Sequence, residues 1–235
     1  MRDLRLHVDR VLCKKWRLLM RLGEGGVSTV WAGEHRNSLR VALKVLRPEL
    51  SADSIVRGRF LREGYVANRI RHPGVVSVLD DDCDDGIVFM VMDLLRGETL
   101  KQRMRRQGVL TPREVVKFSI EVLGVLEAAH AEHVLHRDIK PDNVFLVNDG
   151  SLKLLDFGVA RLREMGPIDH HTKKGAMLGT PAFMPPEQAL GHWDRVDVRS
   201  DLFALGATMW TLLTGRLIHP ATTTPEMLVA SSTRR

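Results

Sequence analysis

Hydrophobic and polar positions change their period part-way along this chain of 235 residues. Residues 16–46 carry three short segments, WRLLMRL, STVWAGEH and RVALKVL, with turn residues at Gly23–Gly26 and Asn37-Ser38 between them. Short apolar runs punctuated in this way predict strands. Residues 54–70 predict a helix, since Ile55, Phe60, Val66 and Ile70 share part of one helical face. His72-Pro73-Gly74 ends it. VVSVLD and IVFMVMD then predict two more strands around DDDCDDG, which reads as a solvated acidic turn. After Gly97 helices take over, at 100–107 and at 112–132, where Thr111 serves as N-cap and Pro112 fills the first helical position. Short strands at VFLV and LKLL follow, then a polar loop at 162–181 and an apolar helix at 200–214. The pattern predicts a β-rich first part and a mainly helical second part, joined near 93–97.

Composition narrows the class. Hydrophobic residues at 44% and charged residues at 27% exclude wholesale disorder. Two cysteines, Cys13 and Cys83, cannot build a disulfide framework, so a reducing, cytoplasmic setting is expected. The most apolar stretch is too short and too mixed for a membrane span, and no secretory leader is read at the start. The net charge of +6 invites a nucleic-acid reading, but aromatics are only 5% and the one basic cluster, Lys101 to Arg106, has the alternation of a solvated helix face. No nucleic-acid partner is therefore expected. The Asp80–Asp85 run lacks the spacing of a calcium loop, and His170-His171 lack a third ligand at zinc-site spacing.

Chemistry concentrates in a series of motifs. Gly23, Gly25, Gly26 and Ser28 sit between two strands, where glycines let backbone amides approach phosphate oxygens; a dinucleotide fold would instead follow them with a helix. Lys44 lies among alternating apolar residues in VALK and needs an anionic partner, for which Glu63 is the best candidate and Glu49 the alternative. HRDIKPDN at 136–143 is followed by Asp156-Phe157-Gly158, which would bring Asp138, Asn143 and Asp156 towards one cleft.

Taken in order, the glycine loop, VALK, HRDIKPDN, DFG, GTPAFMPPE and SDLFALG resemble the eukaryotic-like serine/threonine protein kinases of bacteria, over roughly residues 16–214. The resemblance implies an α+β, two-lobe protein-kinase fold, with a small antiparallel β-rich N-lobe and a mainly helical C-lobe. It divides the chain into an N-terminal extension at 1–15 and a kinase domain at 16–235, with the N-lobe at 16–93, the hinge at 94–97 and a partial C-lobe at 98–235. It implies ATP and Mg²⁺ as cofactors, protein Ser/Thr hydroxyls as acceptors, and a place in signalling. In this pattern Asp138 is the catalytic base, Lys140 steadies the γ-phosphate, and Lys44, held by Glu63, contacts the α- and β-phosphates. Asn143 and Asp156 hold the metal. Leu22, Gly23, Gly25, Ser28, Val30, Ala42 and Phe145 would surround the nucleotide, Met92 would sit behind the adenine, and Asp93 and Leu95 would offer backbone hydrogen bonds. Arg137, Thr172 and Thr180 are the regulatory candidates: Arg137 to grip a loop phosphate, Thr172 to carry it, and Thr180 to pair with Asp138 and Lys140.

Departures from the pattern are Ser28 in place of the third loop glycine, Pro185 in place of an alanine, and an end at Arg235 that leaves out the last C-lobe helices. Glu187 is then expected to lack its arginine partner, and apolar faces near Leu205 and Trp210 to be less covered. The alternative reading is a catalytically weak or truncated kinase-like binding module.

Overall fold

The structure is a computed structural model that describes residues 6–157, 181–219 and 223–233. They form two compact units: residues up to Asn68 together with Val76–Leu95, and Arg69–Val75 together with the chain from Arg96 onward.

The first unit is a six-stranded sheet in the order β1-β2-β3-β4-β6-β5, antiparallel throughout. Its strands are β1 (Val11–Leu12), β2 (Trp16–Glu24), β3 (Ser28–His35), β4 (Arg40–Leu46), β5 (Val78–Asp84) and β6 (Ile87–Asp93). A short helix α1 (Pro48–Ser51) precedes α2 (Ser54–Arg69). Alternation along β4 sends Val41, Leu43 and Val45 to one face, where they pack with Leu18, Trp31, Phe89 and Val91. The other face meets Phe60 of α2 through Leu46, Val88 and Met90. Burial on both faces explains why RVALKVL reads as a nearly continuous apolar run rather than an alternating one.

The sheet curls on itself. β1 and β5 stand at its opposite edges, yet Lys15, just past β1, pairs with Asp80 at 3.1 Å and Asp82 at 3.4 Å on β5. Burial, reinforced by a hydrogen bond with Asp82, pushes the Cys13 thiol up to about 12, so this cysteine is held as an unreactive thiol. These contacts correct one expectation. The acidic stretch read as a turn is a strand, and only Asp85 and Gly86, both at positive φ, make the turn. The period of two is in the carboxylates themselves: Asp80 and Asp82 face Lys15, while Asp81 accepts a hydrogen bond from Tyr65 Oη. Charge on an edge strand also discourages pairing with another sheet. β1 lies in the stretch read as an N-terminal extension, and its Leu12 is fully buried.

The second unit has a small sheet, β7 (Gly97–Thr99), β8 (Val144–Val147) and β9 (Leu152–Leu154), in that order. Around it stand α3 (Leu100–Gln107), α4 (Pro112–Ala131), α5 (Pro186–Ala189), α6 (Val198–Thr214) and α7 (Thr224–Thr233). Thr111 and Glu114 form a capping box at the start of α4, and the face carrying Val115, Phe118, Val122, Val125, Leu126 and Ala129 is buried. α6 opens on a second capping box from Asp197 and Ser200 and closes on Gly215 in the left-handed conformation. Helix α7 adds an element beyond the last helix read from the sequence; Ser231 is buried there, and its hydroxyl donates to the Pro181 carbonyl at 3.2 Å. At Gly97 a side chain is sterically excluded, since a Cβ would stand 2.0 Å from the Leu146 carbonyl oxygen.

Candidate active site

In the first unit the alternation that buries Val41, Leu43 and Val45 turns Ala42 and Lys44 to the opposite face, beside α2. Lys44 is 5% exposed, and its Nζ meets Glu63 Oε1 at 2.6 Å. Glu63 falls one helical turn after Phe60, whose packing on Leu46 and Met90 fixes the face that α2 presents. Of the two partners the sequence offered for Lys44, the structure selects Glu63; Glu49 instead approaches Arg47 at 3.7 Å. Removing one member of such a buried pair costs on the order of 3–5 kcal/mol.

The glycine-rich turn is strapped by Arg47, a residue the motif reading passed over. Its guanidinium donates to the Gly25 carbonyl at 2.8 and 3.1 Å and to Glu24 Oε1 at 2.9 Å. The Gly25 amide closes the turn on the Ser28 carbonyl at 2.8 Å. No packing forbids a side chain here: a Cβ on Gly23 meets nothing within 4 Å, and on Gly25 only an ordinary contact at 3.4 Å. Among the residues proposed for the adenine, Ala42 is buried, Val30, Met92, Asp93 and Leu95 are half-buried, and Leu22 is exposed. Ala42 and Met92 are direct cross-strand partners.

In the second unit one carboxylate organises the loop. Asp201, on α6, is fully buried and accepts from the His136 amide at 3.0 Å and the Arg137 amide at 2.7 Å, while its Oδ2 also lies 2.8 Å from His130 Nε2. Arg137 is held at φ +66°, a left-handed backbone that a non-glycine residue adopts at a cost of about 1–2 kcal/mol. The two amide bonds to a charged acceptor offset that cost. Gln188 adds a hydrogen bond to the Arg137 carbonyl at 3.3 Å. Neither Asp201 nor Gln188 was singled out from sequence, although an aspartate inside so apolar a helix is a signal in itself: a buried charge must be paired.

The loop so held brings three predicted residues together. Lys140 Nζ donates to Asp138 Oδ2 at 2.7 Å, and Asn143 Nδ2 donates to the same oxygen at 3.0 Å and to the Asp138 carbonyl at 2.8 Å. Among the described residues these contacts leave Asp138 Oδ1 without a hydrogen bond. Asn143 is buried with its amide nitrogen engaged, so its Oδ1 is the atom left to meet a ligand.

The next motif is tied to the first. The Leu155 amide donates to the Asn143 carbonyl at 2.8 Å, and His136 Nε2 meets the Leu155 carbonyl at 2.8 Å. With Asp138 N–H donating to His136 Nδ1 at 3.3 Å, the ring carries its proton on Nε2. The buried Phe157 ring stands edge-on to His136 at 4.8 Å. Asp156 takes φ +60°, a conformation aspartate tolerates better than most residues. Phe145 is half-buried on β8. Glu187, expected to lack its arginine partner, accepts a hydrogen bond from Ser200 Oγ at 2.5 Å, because α6 begins beside it. Gly158, Thr172 and Thr180 lie outside the described residues.

A curled antiparallel sheet with a lysine–glutamate pair in one unit, and in the other an Asp–Lys–Asn loop tied to a second aspartate, are features of the protein-kinase fold. Comparison with known proteins agrees: the family model described as the protein kinase domain matches residues 16–233. The chain belongs to that family. It is similar to the serine/threonine-protein kinase Pkn1 of Myxococcus xanthus, with 41% identity over 212 residues, 88% of this chain and 30% of that protein. It is also similar to a probable serine/threonine-protein kinase, PknB, of Corynebacterium glutamicum, with 35% identity over 211 residues, 88% of this chain and 32% of that protein. The chain therefore spans about a third of the length of these curated relatives. Among solved structures, the kinase domain of PknI from Mycobacterium tuberculosis is 31% identical with a TM-score of 0.71, covering 94% of this chain and 80% of that one.

Proposed function

We propose that the chain is an ATP-dependent serine/threonine protein kinase, acting in signalling from the cytoplasm. The observation that carries this reading is Asp138, whose Oδ2 is held by Lys140 and Asn143 while Oδ1 remains without a hydrogen bond among the described residues. Oδ1 is suited to accept a hydrogen bond from a substrate hydroxyl. As that hydroxyl oxygen bonds to the γ-phosphorus and the bond to the β-phosphate oxygen breaks, the hydroxyl proton passes to Asp138 and ADP leaves. Little covalent chemistry falls to the protein, so orientation and charge carry most of the rate.

Lys44 has the charge to neutralise the α- and β-phosphates, and Glu63 fixes its direction. Lys140, beside Asp138, adds positive charge where the γ-phosphate is transferred. The glycines at 23 and 25 meet no packing demand for the absence of a side chain, as suits a turn whose amides approach a ligand. Leu22, Ser28, Val30, Ala42, Met92, Asp93, Leu95 and Phe145 remain the proposed surround of the nucleotide. Arg137 and Thr172 remain the proposed phosphate-responsive pair, with Thr180 beside the catalytic loop.

The residues present fit a magnesium ion. Magnesium takes one or two protein oxygens and fills its remaining positions with phosphate and water, and Asn143 Oδ1 with the Asp156 carboxylate supplies those oxygens. Among the described residues no cluster of three or more His, Cys, Asp or Glu could hold a metal on its own, consistent with an ion shared with the nucleotide. When bound, the ion would offset charge on the phosphate oxygens.

The test is to incubate the protein with γ-labelled ATP, magnesium and a protein substrate, and to identify the labelled amino acid. Label on serine or threonine that disappears with Lys44→Ala supports the proposal. Label on tyrosine, or none from a folded protein, overturns it.

A further inference from the structure

The second unit holds a hollow of about 430 Å³ between α3, the segment after the catalytic aspartate, and the end of α6. Its walls are apolar, from Met104, Val109, Pro141 and Leu217, and its charged members are Lys101, Arg105 and Asp142. Phe183 lines this hollow and also a narrow crevice that Asp138 lines, so the two adjoin at one residue. A polypeptide whose hydroxyl meets Asp138 has this hollow within reach of its neighbouring residues.

The charges around the hollow follow from the pairing along α3. Arg106 and Arg103 are taken by Glu98, at 2.6 and 3.4 Å, and Arg103 also by Glu114 at 2.8 Å. Lys101 is taken by Asp142 at 2.6 Å. That contact neutralises the single carboxylate in the lining, which would otherwise attract a basic side chain. Arg105 is exposed and has no ion-pair partner among the described residues. The basic run that the sequence presents as one solvated face is thus mostly self-neutralised, and its net charge of one is left on the hollow.

We propose that this hollow selects the protein substrate, taking an acidic side chain near the acceptor hydroxyl, with Arg105 as the recognising cation and the apolar walls covering the stem. This rests on the kinase reading and assigns a substrate class to it. Lys101, by occupying Asp142, acts as a positioning residue that keeps the hollow from favouring basic sequences. A rim charge of this kind discriminates modestly, by about threefold to tenfold between acidic and basic side chains.

The experiment compares serine peptides that differ only in one Glu or Arg, placed at successive positions on either side of the acceptor. It reads both kcat/KM for phosphorylation and peptide binding by fluorescence anisotropy. The expected result is a preference for Glu at one or more positions, reduced about threefold by Arg105→Ala and reversed by Arg105→Glu, with nucleotide affinity unchanged. Equal use of Glu and Arg peptides, or a Glu preference untouched by Arg105→Glu, overturns the proposal. If no peptide is phosphorylated but Glu peptides still bind and Arg105→Glu releases them, the hollow stands and the kinase reading fails.

Discussion

Asp201→Asn tests whether a buried carboxylate outside the reacting groups sets the catalytic loop. In the native protein three donors converge on it, at 2.7, 2.8 and 3.0 Å. Asparagine keeps one oxygen but turns an NH₂ towards the remaining donors, so at least one buried amide loses its acceptor. That costs about 1–3 kcal/mol, and the surviving bond loses its charge assistance, for about 2–4 kcal/mol in all. Arg137 at φ +66° is then no longer held, and its return to an ordinary backbone recovers about 1 kcal/mol for the displaced loop. Local opening at 136–137 should therefore become easier by about 2–4 kcal/mol, an acceleration of amide hydrogen exchange by roughly thirtyfold to several hundredfold. Mass spectrometry on a peptide spanning 134–141 reads this directly, with β2–β4 of the first unit as an internal control. Exchange within about twofold of the native rate would refute the reasoning, as would an acceleration spread equally over both units.

Glu63→Ala deprives Lys44 of its carboxylate inside a buried pair, and should lower the urea-unfolding free energy of the first unit by about 3–5 kcal/mol while weakening nucleotide binding. Gly97→Ala puts a Cβ 2.0 Å from the Leu146 carbonyl oxygen and 2.9 Å from the Phe145 ring; thermal unfolding should show a loss of about 1–3 kcal/mol, and Gly86→Ala, with open space around it, a smaller one. Hydrogen bonds from Arg103 and from Thr111 hold the Glu114 carboxyl down to about 2 from an ordinary 4.5. Its contribution is complete above pH 4.5 and is lost as the pH falls towards 2, by about 1 kcal/mol once screening at this partly exposed site is allowed for. Glu114→Gln should flatten that part of the stability–pH curve, and an unchanged acid limb would contradict the assignment.

Much of the fold was legible because each strand and long helix announces itself in its period. β3 and β4 coincide with the segments the pattern marks, and α4 starts at Pro112 after the Thr111 cap. Strand β5 was legible only at its start, where VVSVLD reaches Val78–Asp80; its acidic continuation to Asp84 was not, since those carboxylates are satisfied by Lys15 and Tyr65 from distant parts of the sequence, and local polarity alone reads as a turn. Helix α7 was missed because its few apolar residues, Met227 to Val229, are consecutive and set no helical period. In the candidate site, the motif spacing brought Asp138, Lys140 and Asn143 into consideration together. What supports them had no role assigned from sequence: Asp201 stands inside SDLFALG, and Gln188 and Arg47 lie outside the motifs. Asp201 and Gln188 act on backbone atoms far away in the chain, as does Arg47 on the glycine turn. A contact to a backbone amide or carbonyl leaves no trace in the identity of the residue that receives it.

The most direct test of the central claim separates nucleotide binding from transfer in Asp138→Asn. The substitution removes the proposed proton acceptor while keeping the size of the side chain and one oxygen for Lys140 and Asn143. The account predicts that Mg·ATP binds within about threefold of the native affinity while kcat falls by at least a hundredfold, the usual scale for loss of a general base. Phosphoryl transfer at near-native kcat in a folded Asp138→Asn protein would contradict it.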